Sequence, residues 1–188
     1  KNERKINFII LKGNELLNNH LSYRFSDLMG LLTPSSKIVS FSINGESDGL
    51  RNMVGQVDES FLRNNKRMPS DIYVGDNAGT KAYTGISTHY LMDYPSLWQK
   101  SAFNNHYDKN NKFPLSTFID EILQEDFQHI ALEEFAKFSV LLSITGSRHV
   151  DDAHNWKIYY DNYYEKMYPI TWDLVGFHDR FRNSMEEK

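Results

Sequence analysis

Residues 151–177 read DDAHNWKIYYDNYYEKMYPITWDLVGF, and the reading of the fold turns on this stretch. Trp156 to Tyr160 and Met167 to Trp172 are rich in aromatic and β-branched residues and predict two strands. Asp161-Asn162 and the residues after them predict the turn. A strand advances about 3.3 Å per residue, so a few residues out and a few back return the chain to nearly its starting height. Asp173 is therefore expected beside Asn155 and Asp152, on one rim of the hairpin. Carboxylates meeting there repel each other without a cation, and Mg²⁺ is commonly held by one or two carboxylates plus substrate phosphates. Phosphoryl-transfer sites use such a set, in which one Asp orients the nucleophile while another Asp and an Asn hold metal. The plainer reading of residues 147–155, SRHVDDAHN, is a solvated loop leading into a strand. Asp173 weighs against that reading, because a charge directly after the apolar run PITW needs a partner near the core.

Working upstream, Glu125 to Thr145 predicts one long helix. Phe127, Ile130, Ala131, Phe135, Phe138, Leu141 and Leu142 fall on one broad face, and Gly146 ends it. Pro114 to Leu123 predicts another helix, capped near Ser116, and Pro95 is expected to open a short helix around SLWQKSAF. Residues 64–113 are rich in Asn, Gly, Lys, Asp and Tyr and predict long loops, with short apolar runs at Asp71 to Val74 and Tyr83 to Ile86. Nearer the start, KINFIILK (residues 5–12) predicts a strand. Asn14 is expected to cap a helix running to about Leu32, with Leu16, Leu17, Leu21, Phe25, Leu28 and Met29 at helical spacing. KIVSFSI (residues 37–43), then Asn44-Gly45, then a return strand from Gly49 to Val57 predicts a hairpin, because Asn-Gly tolerates the positive φ of a tight turn. Asp58 is expected to cap the helix that follows, and a charged helix from Phe177 to Met185 closes the chain. The pattern is α+β, read as a single domain over residues 1–188: a β-rich part over 1–90 and a mainly helical part over 91–188 that carries the hairpin.

Composition removes whole classes of function. The 188 residues contain no Cys, which excludes disulfides, zinc-thiolate sites, iron-sulfur clusters and thiol nucleophiles. The formal net charge is -4, so no basic excess exists to hold a nucleic acid over a wide surface. No apolar run approaches the roughly 18 residues of a membrane span. KNERKINFII has no signal-peptide core, and the initial Lys suggests a trimmed chain.

The stretch from Asp151 to Phe177 resembles the signature of the CotH-type spore-coat protein kinases. That signature has an Asp, an HN-aromatic strand ending in Tyr, a turn, and an apolar Pro-Ile-x-Trp-Asp ending. VSFSINGESDGLRNMVGQVDESFL, from Val39 to Leu62, is similar to the family's Asn-Gly hairpin and the helix ending in Phe-Leu. LSYRFSDLMGLL resembles the preceding helix, and DIYVGDNAG the family's Leu-Tyr-Lys strand. The resemblance implies an atypical, protein-kinase-like fold that binds ATP with Mg or Mn and transfers its γ-phosphate to Ser or Thr of a protein substrate. It implies a spore-coat or cell-surface setting. It implies the catalytic-loop Asp at Asp151 or Asp152, with the register open by one residue. It implies metal binding by Asn155 and Asp173, with His154 and Trp172 as flanking structural positions. Lys5, Lys12 and Lys37 are candidate phosphate contacts, each also readable as a surface lysine.

Some positions depart from the family pattern. Gly55 stands where the return strand carries Glu, and Val74 where the Leu-Tyr strand carries Lys. The chain is also short for a complete kinase-like protein. These departures suggest a reduced kinase, a catalytically inactive structural or interaction protein with the same fold, or a truncated chain. Other chemistries use the same residues. His149 and His154 with Asp151, Asp152, His178 and Asp179 are candidate ligands of a transition metal in a metal-dependent hydrolase. Ser143 and Ser147 lie near the histidines, without the Gly-x-Ser-x-Gly elbow of a serine hydrolase. The hairpin aromatics Trp156, Tyr159, Tyr160, Tyr163, Tyr164, Tyr168 and Trp172 suit either cross-strand packing or carbohydrate binding.

Overall fold

The Asn44-Gly45 turn carries positive φ at both residues, 52° and 86°, which is the geometry that lets a two-residue connection follow the natural twist of a hairpin. In the computed structural model, which describes residues 5–10, 17–76, 90–101 and 111–177, it joins β2 (Ser36–Ile43) to β3 (Glu46–Gly55). Strand β1 (Ile6–Ile10) pairs antiparallel with the other side of β3, from Ile6 against Gly55 to Ile10 against Arg51. The result is a three-stranded sheet in the order β1-β3-β2.

Between β1 and β2 lies α1 (Asn18–Leu28). Asn14, expected to cap it, lies outside the described residues, as do Lys12, Tyr83 to Ile86, and the residues from His178 onward. The helix buries the face opposite to the expected one. Asn18, Ser22, Tyr23 and Ser26 are buried, whereas Leu28 is 78% exposed and Leu17 and Phe25 are exposed too. The reason is hydrogen bonding: the polar face has partners in the interior, described below, so its burial is compensated.

Asp58 caps α2 (Glu59–Asn64): its Oδ1 accepts from the Phe61 N–H at 3.1 Å, and Phe61 and Leu62 pass into the core. Strand β4 (Ile72–Gly75) leads into the second sheet. Pro95 opens only a single 3₁₀ turn, Pro95–Leu97; the chain then extends as β5 (Trp98–Ser101) where a helix was expected, because β4 supplies a pairing partner. Fully buried Trp98 anchors β5 by donating from Nε1 to the Leu91 carbonyl at 2.8 Å.

Helix α3 (Phe113–Gln124) begins with Pro114 in its first turn. The orphan N–H of Phe113 is satisfied by Asn111 Oδ1 at 3.0 Å, upstream of the cap expected at Ser116. Helix α4 (Leu132–Thr145) ends as expected at Gly146, with φ 64°, but starts later than Glu125. Glu125 is left-handed at φ 56°, and Ile130 leaves helical geometry to bridge Met167. Strands β6 (Trp156–Asp161) and β7 (Lys166–Pro169) form the expected hairpin, with Asp161 Oδ1 accepting from the Tyr163 N–H at 3.0 Å in the turn. Beyond Pro169 the return strand thins to a bridge between Ile170 and Leu32.

The second sheet runs β5-β4-β6-β7, all antiparallel, and draws β4 from the first half of the chain. One face packs Ile72, Tyr159 and Ile170 against Phe61, Leu62 and Leu32; the other packs Tyr73, Ile158 and Met167 against Phe118 and Ile119 of α3. The architecture is mixed α+β, with two antiparallel sheets and four α-helices among the described residues. No helix among them is long and apolar enough to cross a membrane.

Candidate functional site

The segment after β7 is held from two sides. On one side stands the buried polar face of α1. Thr171 Oγ1 lies 2.5 Å from Ser26 Oγ, which also bonds Thr33 Oγ1. The Asp173 N–H donates to the Tyr23 hydroxyl at 3.1 Å, and Asn19 Nδ2 donates to Asp173 Oδ1 at 2.5 Å. Burial pushes the Tyr23 phenol well above its ordinary value, so it stays neutral.

On the other side stands the end of α4. Phe177 N donates to the Thr145 carbonyl at 2.5 Å, and Ser147 Oγ donates to the Leu174 carbonyl. His149 Nδ1 lies 2.6 Å from the Asp173 carbonyl and 3.3 Å from its Oδ2. A carbonyl only accepts, so Nδ1 carries the hydrogen.

The two rim residues meet through this histidine. Asn155 Nδ2 donates to the His149 carbonyl at 2.8 Å, which leaves Asn155 Oδ1 as an oxygen donor for a cation. Asn155 and Asp173 are both left-handed, at φ 63° and 46°, a conformation that short Asx side chains tolerate best after glycine. Asn155 and Asp173, at opposite ends of the hairpin, thus both bond His149, one at its carbonyl and the other at its ring.

Asp151 joins the same cluster. Its Oδ1 accepts from the Ala153 N–H at 2.7 Å, the His154 N–H at 3.0 Å and His154 Nδ1 at 2.6 Å. Burial pushes the carboxyl up, but those hydrogen bonds and the imidazole beside it outweigh burial and hold it below its ordinary range. Its Oδ2 has no hydrogen bond among the described residues. The His154 ring meets the His149 ring edge-on at 5.4 Å. Asp152 is exposed; its carbonyl accepts from the Leu91 N–H at 2.8 Å, while its carboxylate has no hydrogen bond among the described residues.

Other candidate positions lie elsewhere. Lys5 and Lys37 are exposed on the three-stranded sheet, Lys5 just before β1 and Lys37 opposite Met53. His178 and Asp179 lie outside the described residues. Of the hairpin aromatics, Tyr159 and Tyr168 are buried and packed on each other at 6.1 Å, while Tyr163 and Tyr164 at the turn are exposed. Sequence reading missed Asn19 and Tyr23, whose spacing of four places both on one turn-to-turn stripe of α1.

Among the described residues, no group of three or more His, Asp or Glu side chains is placed to hold a metal ion. The oxygen atoms that the expected rim residues could offer are one carboxylate and one amide oxygen, those of Asp173 and Asn155. That fits a Mg²⁺- or Mn²⁺-type ion whose remaining ligands are phosphate oxygens and water, and does not fit a cage built wholly from protein.

No curated protein matches the chain in sequence. The family described as CotH kinase protein matches it over residues 11–187, which takes in every described strand but β1, every described helix and the residues of the rim cluster. The chain belongs to the CotH kinase protein family.

Proposed function

We propose that the chain is an atypical protein kinase that transfers the γ-phosphate of ATP to a Ser or Thr hydroxyl of a protein substrate. The observation that supports this most is the fixing of Asp173. Asn19 and Tyr23 hold it from α1 and His149 from the loop after α4, while Asn155 is tied to the same histidine. A carboxylate and an amide oxygen so constrained are preorganised for a phosphate-bound cation, and preorganised charge is what phosphoryl transfer asks of a protein.

In this reading Asp173 and Asn155 hold Mg²⁺ or Mn²⁺. Such an ion, when bound, neutralises charge on the phosphates. Asp151 presents its open Oδ2 to the substrate hydroxyl, and its pinned Oδ1 keeps the carboxylate oriented. The hydroxyl oxygen bonds to the γ-phosphorus, the bond to the departing ADP oxygen breaks, and the hydroxyl proton passes to carboxylate or solvent. Asp152, one residue on, is the alternative orienting group.

A second reading is a catalytically inactive member serving as a structural or interaction protein of a spore coat or cell surface. It draws on Gly55, which sits in β3 with its N–H bonded to the Ser35 carbonyl and brings no carboxylate. The two readings separate in one experiment. Thermal stability is measured with ATP, with and without Mg²⁺ or Mn²⁺, for wild type and Asp173→Ala. A metal-dependent stabilisation lost in the variant is the expected result. No stabilisation of wild type under either metal sinks nucleotide binding. Transfer of radiolabelled phosphate to a Ser-rich acceptor then distinguishes kinase from scaffold.

A further inference from the structure

Lys157 is the second residue of β6, two positions after Asn155, and is half-buried. The sheet register sets it directly opposite Val74 of β4. Its carbonyl accepts from the Ile170 N–H at 2.9 Å, which carries the hairpin pairing toward Trp172 and Asp173. Its Nζ lies 4.7 Å from the centre of the Trp172 ring, whose residue directly precedes Asp173. Among the described residues that ammonium has no hydrogen bond or ion pair.

This is an unusual state for a lysine. A half-buried ammonium set against an aromatic ring, with no acceptor bonded to it among the described residues, lacks the groups that normally compensate its burial. Asp173 directly follows Trp172, and Asp76 follows Gly75, which the register sets opposite Trp156, so both carboxylates belong to the surroundings of this ammonium. A bare anion entering here meets both carboxylates and is repelled. An anion that arrives with its own divalent cation is not, because Asp173 then faces the cation and the ammonium faces the anion. Polyphosphates bound to Mg²⁺ have this character, and Lys binds phosphate as a compact point charge.

We propose that Lys157 is a binding residue for the polyphosphate of a metal-bound nucleotide, contacting a phosphate oxygen beside Asp173. The inference rests on the kinase reading above and adds to it a cation supplied from the site hairpin itself.

The test titrates Mg·ATP, Mg·tripolyphosphate and adenosine calorimetrically into wild type, Lys157→Met and Lys157→Arg. Lys157→Met is expected to lose about 10- to 100-fold in affinity for Mg·ATP and Mg·tripolyphosphate, the scale of one charge-assisted hydrogen bond, with adenosine unchanged. Lys157→Arg is expected to keep part of the lost affinity. Wild-type protein gives an independent readout: an amine-reactive reagent modifies Lys157, followed by peptide mass spectrometry, and Mg·ATP protects it. Unchanged Mg·ATP affinity in a folded Lys157→Met, or no protection in wild type that binds Mg·ATP, overturns the role of Lys157 and leaves the kinase reading intact. Equal losses for adenosine and Mg·ATP assign Lys157 a structural part and also overturn it. Failure of wild type to bind any nucleotide overturns both.

Discussion

Asn19 Nδ2 donates a 2.5 Å hydrogen bond to Asp173 Oδ1, linking a helix near the start of the chain to a residue 154 positions later. The contact explains why α1 turns its polar face inward. Ser26, Tyr23 and Asn19 meet Thr171, the Asp173 N–H and the Asp173 carboxylate in turn, so one helix reads out three consecutive turns of polar contact along the segment. A carboxylate in a positive-φ conformation is held in one orientation by this alignment rather than left to sample solvent.

Asn19→Ala removes a charge-assisted bond and leaves part of a carboxylate unsatisfied, which costs roughly 1.5–3 kcal/mol. The variant is expected to unfold at lower urea and to show a smaller metal-dependent stabilisation by ATP. Asn19→Asp sets two carboxylates against each other. It is expected to be less stable than Asn19→Ala in chelator and to recover more on addition of Mn²⁺, both read from urea melts. Equal responses of the two variants to Mn²⁺ would show that Asp173 does not face a cation.

Gly176 lies against the end of α4. A Cβ built there meets Thr145 Cβ at 2.5 Å and the Thr145 carbonyl oxygen at 2.8 Å, and one of those atoms is backbone. Gly176→Ala must therefore displace the strap that carries Asp173 or the last turn of α4. Overpacking of this kind costs about 1–3 kcal/mol. The expected result is a lower urea midpoint with unchanged slope, together with weakened Mg·ATP binding. Combination with Thr145→Gly, which removes the facing side chain but not its carbonyl, is expected to recover no more than part of the loss.

The elements that sequence reading recovers are those whose cause is local. Asn44-Gly45, Asp58 and Gly146 each act through their own φ or through a bond within one turn, and each sits where expected. The hairpin from Trp156 is legible because both strands and their turn are contiguous. What escapes is set by distant partners. Trp98–Ser101 becomes a strand because β4 pairs with it, and nothing around Pro95 announces β4. The polar stripe of α1 reads as a solvent face until Thr171 and Asp173 are known to lie against it. Likewise Val74 reads simply as a departure from the lysine of the family's Leu-Tyr strand, whereas the register that sets Lys157 opposite Val74 exists only in the assembled sheet.

Asp58 offers a check on α2 that is independent of the site. Its side chain accepts from the Phe61 N–H and from Ser60 Oγ, and the helix it starts delivers Phe61 and Leu62 to the core. Asp58→Ala is expected to cost about 1 kcal/mol, and Asp58→Asn to cost less, because Asn also caps well. Urea melts of the two variants measure the difference.

The Asp151 carboxylate gives the cluster a pH signature whose sign is determinate. Burial raises its pKa, but the Ala153 and His154 N–H donors and the His154 ring lower it by more, so the folded value lies below the unfolded one, which is about 3.9. Such a group stabilises the fold above the unfolded pKa, and that contribution is lost as pH falls through the folded pKa. Asp151→Ala is therefore expected to be less stable than wild type at pH 7, with the gap narrowing progressively below about pH 4. Replacing His154 with Ala removes one of the lowering partners and is expected to move the acid transition of wild type to slightly higher pH. Guanidinium melts from pH 7 to pH 3 on wild type and the two variants measure both effects. A gap between wild type and Asp151→Ala that stays constant over this range would mean that Asp151 gains nothing from its ionised state, and would remove the electrostatic basis for its fixed orientation.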